Sequence, residues 1–71
     1  MAAKVNDILV EITRYCGENE IGVNFTQYGY RKNTIDDSVI HGKRIIKIQI
    51  GNPEDDGLYN LLNDFFLKLK G

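Results

Sequence analysis

The sequence predicts a small two-layer α+β domain, two helices packed on one face of an antiparallel sheet, in the order α-β-β-β-α. Two patterns carry that expectation. Val5, Ile8, Leu9, Ile12, Tyr15 and Cys16 recur at the three- and four-residue intervals of a single helical stripe. Leu58, Leu61, Leu62, Phe65, Phe66 and Leu69 do the same near the other end. Between them, Ile21, Val23 and Phe25 alternate with Gly22, Asn24 and Thr26, and Ile46, Ile48 and Ile50 alternate with Lys47 and Gln49. That alternation is the period of a strand with one buried face.

The first helix is expected to begin between Lys4 and Asp7. Asn6 suits its N-cap, with Val5 and Val10 as a hydrophobic staple; a start one turn earlier is the alternative. Gly17 marks its end and Glu18-Asn19-Glu20 a polar turn. A strand over Ile21–Tyr30 follows, then a turn at Arg31-Lys32-Asn33-Thr34. Thr34–Ile40 reads as a second strand. The alternative is one loop over 31–42 and the order α-β-β-α, but irregular loops of that length are uncommon in compact domains. His41-Gly42-Lys43 reads as a hairpin turn, because Gly supplies the positive φ such turns require, and Arg44–Ile50 is the last strand. For the second helix, Asn52 can cap and Pro53 suits the first position. Glu54, Asp55 and Asp56 meet the positive end of the helix dipole, and Gly57 argues for a start nearer Asp55 or Asp56. Lys68 and Lys70 complement its negative end.

Seventy-one residues with 42% apolar content describe one domain over 1–71, near the lower size limit for folding without staples. A core of this size supplies about 3–5 kcal/mol. Pairing of two copies through a sheet edge or an exposed apolar patch would add to that, so a homodimer is among the expected partnerships. Net charge is −1, which favours neither a nucleic-acid binder nor an acidic mimic. The single cysteine excludes an intramolecular disulfide and fits a reducing compartment. The apolar runs are too short for a membrane span or the core of a signal peptide. The expectation is a cytoplasmic protein.

Both helical stripes need the sheet face that carries Ile21, Val23, Phe25, Ile46, Ile48 and Ile50, which leaves the other face open. By parity that open face holds Asn24, Thr26, Tyr28 and Tyr30 with Ile45, Lys47 and Gln49. No catalytic, cofactor or metal constellation stands out. Cys16 lies on the buried stripe and His41 in a turn, so neither has a nucleophile–base partner in the pattern. The acids of Asn52-Pro53-Glu54-Asp55-Asp56-Gly57 lack the spacing of a calcium loop, and the glycines form no phosphate-binding fingerprint.

Two kinds of partner fit the open face. Arg31, Lys32, Lys43, Arg44 and Lys47 outnumber Asp36 and Asp37 between Tyr28 and Ile50, and tyrosines beside cations can stack bases and track phosphates. Element order and length also resemble the double-stranded-RNA-binding domain. That family presents a lysine-rich start of its last helix to phosphate, where this chain has the acidic Pro53-Glu54-Asp55-Asp56-Gly57, so none of its binding residues carries over. A protein partner fits better: tyrosine is enriched at interfaces, and two acidic clusters, Asp36-Asp37 and Glu54-Asp55-Asp56, suit a basic groove. The expected function is a small non-catalytic protein-binding module. It would act as a regulator, as an inhibitor of a larger host protein in the style of small phage-encoded inhibitors, or as a self-associating subunit. The partner-binding residues are Tyr28, Tyr30, Ile45 and Lys47, with Arg31, Lys32 and Arg44 at the rim; the alternative is a nucleic-acid-binding domain on nearly the same patch.

Overall fold

A computed structural model describes residues 3–27, 29 and 31–71. The elements follow the order α-β-β-β-α: α1 Ala3–Glu18, β1 Gly22–Gln27, β2 Thr34–Ile40, β3 Lys43–Ile50 and α2 Leu58–Lys70. Thr34–Ile40 is a strand, as expected in preference to one long loop over 31–42. Tyr28 and Tyr30, placed at the end of the first strand by sequence, lie outside the described residues.

The sheet is mixed rather than wholly antiparallel. Its order is β1-β3-β2, with β3 antiparallel to β2 and parallel to β1. A simple meander would place β2, with Asp36 and Asp37, in the middle. The observed order gives the centre to β3, whose Ile46, Ile48 and Ile50 are all buried. The central strand of a covered sheet is the natural place for the most apolar segment. The price is that the chain must cross the end of β3 to pass from one edge to the other, and residues 31–33 lie in that crossing.

α1 spans Ala3–Glu18, matching the earlier of the two expected starts, so Asn6 lies inside the helix rather than at its cap. The helix also runs past Gly17 to Glu18. The stop comes at Glu20, whose φ of 58° takes the left-handed conformation. The Ile21 N–H then donates to the Cys16 carbonyl at 2.8 Å, a Schellman-type closure that tucks Ile21 against the core.

α2 begins at Leu58, later than Asn52 or Asp55. Its cap is Gly57, which makes no side-chain capping bond. The polar residues before it bond locally instead. Asn52 Oδ1 accepts from the Glu54 N–H at 3.2 Å and Asp55 Oδ1 from the Gly57 N–H at 3.0 Å, two Asx-type turns that compete with helix. At the other end Lys68 and Lys70 occupy the last turn, as the dipole favours.

The core joins Val5, Ile8, Ile12 and Cys16 of α1 to Leu58, Leu62, Phe66 and Leu69 of α2 over the three β3 isoleucines. Both helices therefore cover the same sheet face. They meet through Tyr15 and Phe66, whose rings stand edge to face with centroids 6.0 Å apart, and through Lys4, whose Nζ lies 5.3 Å from the Tyr59 ring centroid. Phe25 belongs to the covered face by register, opposite Ile48, but sits on the outer strand and stays 41% exposed.

Candidate functional site

The uncovered face is a three-strand surface built in rows by the register. Gly22, Ile45 and Ser38 form one row; Asn24, Lys47 and Asp36 the next; Thr26, Gln49 and Thr34 the third. Lys43 and Ile40 extend it toward the hairpin. Ile45, Gln49 and Ser38 are half-buried, and the other side chains of the three rows are exposed.

Of the residues selected from sequence, Ile45 and Lys47 lie on this face, as the alternation requires. Arg44 points the other way. It pairs in register with Val39 on the helix-covered side and forms an ion pair with Asp37. Its Nε donates to both carboxylate oxygens, at 2.9 and 3.2 Å, while Nη2 also reaches Oδ2. This guanidinium holds the Asp37 carboxyl below its usual range, with slight burial opposing. Arg31 and Lys32 lie in the connection that crosses the end of β3, where the Lys32 carbonyl accepts from Gln49 Nε2 at 2.8 Å. The structure therefore spreads the sequence-selected cations over a face, a loop and the opposite side.

A residue that sequence reasoning missed organises that loop. Asn33 Oδ1 accepts from the N–H groups of Gly51 and Asn52, both at 2.9 Å. Its Nδ2 donates to the Asn52 carbonyl at 2.9 Å and to Asp55 Oδ2 at 3.4 Å. One amide thus ties the crossing loop to the segment between β3 and α2. Gly51 lies directly beneath the loop, and a Cβ there would overlap the Arg31 backbone. No local sequence signal marks either role, because the partners are far apart in the chain.

Both acidic clusters lose a member to local structure: Asp37 to Arg44, and Asp55 to Gly57 and Asn33. Asp36, Glu54 and Asp56 remain exposed. Cys16 is a free, buried thiol, pushed above its usual pKa chiefly by burial, with Arg44 acting in the opposite sense. His41 occupies the hairpin turn with φ 53°. An open groove between the end of α1 and the hairpin is lined by Asn19, Glu20, Lys43 and Arg44 among others. Among the described residues no cluster of His, Cys, Asp and Glu could hold a metal ion, and no helix is long and apolar enough to cross a membrane.

Comparison with protein-family models, with curated proteins and with solved structures finds no match to this chain.

Proposed function

We propose that the protein is a non-catalytic binding module that engages another protein through the open face of its sheet, as a regulator or inhibitor of that larger partner. The observation that carries the reading is the composition of the face in its observed register. Ile45 and Ile40 supply apolar area, and Asn24, Thr26, Thr34 and Gln49 supply neutral hydrogen-bonding groups around it. Such a mixture suits a protein surface.

Phosphate fits it less well. Asp36 stands directly across from Lys47 in the central row, where a phosphate track would have to run. Arg44, turned to the other face and paired with Asp37, adds no charge to the track. The buried, burial-raised thiol of Cys16 and the exposed turn position of His41 support a non-catalytic role. The free thiol also supports placing the protein in the reducing cytoplasm.

The test uses two baits and a titration. Wild-type protein and a Lys47→Glu variant are compared for the proteins they retain, and the contact of any retained protein is mapped by cross-linking. A partner retained by wild type, weakened at least about tenfold by Lys47→Glu and cross-linked at Lys43 or Lys47 is the expected result. Amide-shift titration of the labelled protein with single- and double-stranded DNA and RNA at low salt provides the opposing arm. Shifts along Lys43, Lys47 and Gln49 that collapse as salt rises would replace the protein partner with a nucleic acid.

A further inference from the structure

The two edges of the sheet differ. β2 carries Asp36 on its open side and Asp37 on its covered side. Charges in the middle of an edge strand are a recognised defence against strand addition. Two copies meeting antiparallel through β2 about its middle would bring these acids together, a destabilising pairing. β1 reads Gly-Val-Asn-Phe-Thr-Gln and has no charge and no proline. It pairs with β3 on one side and, among the described residues, with no strand on the other.

The helix above that edge is also unguarded. α1 faces α2 through Lys4 and Tyr15. At 100° per residue, Leu9, Val10 and Thr13 fall on the opposite flank. α1 is also the helix that contacts β1. That flank therefore lies above the β1 edge. Val10 is 56% exposed and Phe25 41%, with Leu9 and Val23 half-buried against the core. An open strand edge and an apolar strip run side by side.

We infer that this edge pairs with a second copy of the chain, β1 against β1 antiparallel, about a two-fold axis perpendicular to the sheet. Two features select a second copy. The strand is neutral, so it meets itself without like-charge repulsion. Centring the axis on Asn24 sets each Phe25 opposite the other copy's Val23 on the covered face, and brings the two Val10 flanks toward each other above the join. The product is a six-stranded sheet with all four helices on one side and one continuous open face.

Sedimentation equilibrium over a wide concentration range tests the pairing, with circular dichroism confirming that each variant is folded. Wild type is expected to reach twice the 8.1 kDa chain mass. Phe25→Lys acts twice across the axis and should weaken the dimer at least about a hundredfold. Val10→Lys, on an exposed helix position that folding tolerates, should weaken it about tenfold. Val39→Lys, at the β2 edge, should leave it unchanged. Asn24→Cys should form an intermolecular disulfide on mild oxidation while Cys16 stays buried. A wild-type chain that remains monomeric at millimolar concentration overturns the inference. So does a dimer that survives both Phe25→Lys and Val10→Lys, or one that Val39→Lys dissolves.

Discussion

The two ends of β3 are closed in different ways. At its start the chain turns back from β2 through His41 and Gly42, with φ of 53° and 79°, both positive as a type I′ hairpin turn demands. Everything that makes this turn sits within a few residues. At its end, Gly51 and Asn52 are held by Asn33, nearly twenty positions away, and by an overpassing loop whose Lys32 carbonyl is pinned by Gln49. The first closure is local and the second is not. The non-local one also fixes the sheet order, because the chain from β1 must pass over this end to reach β2. It should therefore matter more to stability and to topology than the hairpin does.

The largest effect is expected at Gly51. A Cβ there would overlap the Arg31 backbone, so Gly51→Ala forces the crossing loop to move. Overpacking of this kind costs about 1–3 kcal/mol, and with a backbone as the obstacle the upper part of that range applies. Against a total of about 3–5 kcal/mol, most of the folded population is at risk at physiological temperature. Urea unfolding followed by circular dichroism reads it directly. If Gly51→Ala costs less than a substitution in the hairpin, the ranking of the two ends is inverted.

Asn33 comes next. Asn33→Ala leaves the N–H groups of Gly51 and Asn52 without their acceptor, a loss of about 1–3 kcal/mol moderated by partial access to water. Asn33→Asp retains the acceptor oxygen, gives up donation to the Asn52 carbonyl, and places a second carboxylate beside Asp55. It should fall between wild type and Asn33→Ala, because the acceptor is kept while the two carboxylates repel. Equal stability of all three proteins would show that the loop is held by packing over Gly51 alone.

The same division explains what the sequence made legible. The helical stripes, the buried β3 isoleucines and the His41-Gly42 turn are encoded by neighbours, and each appears where periodicity or turn chemistry places it. The parallel pairing of β1 with β3 is encoded by nothing local. It follows from competition for the centre of the sheet, which the apolar β3 wins over the acidic β2. The start of α2 departs from its local signals for a related reason: Asn52 and Asp55 have the composition of a helix cap, but each folds its side chain onto its own turn and both are claimed by Asn33. For the candidate site, parity set Ile45 and Lys47 on the open face correctly. It could not reveal that Arg44 answers to Asp37 across the hairpin, or that Asp36 faces Lys47, because both depend on register.

At the hairpin, Gly42→Ala retains every hydrogen bond and adds only a Cβ in a left-handed conformation with open space around it. The expected cost is about 1 kcal/mol, from backbone conformation alone. His41→Asn should be neutral or slightly stabilising, since asparagine accepts positive φ readily and Asn-Gly is the preferred pair for this turn. Thermal unfolding of the two variants together isolates the turn from the ion pair beside it.

The smallest effect belongs to that ion pair. Arg44 and Asp37 have side chains 41% and 35% exposed, so their attraction is screened by solvent and worth a few tenths of a kcal/mol, up to about 1. Its pH dependence has a definite sign. The hydrogen bonds from Arg44 lower the Asp37 pKa in the folded protein below the ordinary 3.8. The stabilisation is therefore fully present above that value and is lost as pH falls through the lowered folded value. Arg44→Gln should be less stable than wild type at neutral pH, and the difference should close in strong acid and shrink with salt. A difference that persists unchanged at low pH and high salt would assign the role of Arg44 to its hydrocarbon stem rather than its charge, since an arginine at a sheet margin contributes by packing as well. Both ends of β3 would then be held by shape, and the contrast between them would reduce to how far along the chain the contacting residues lie.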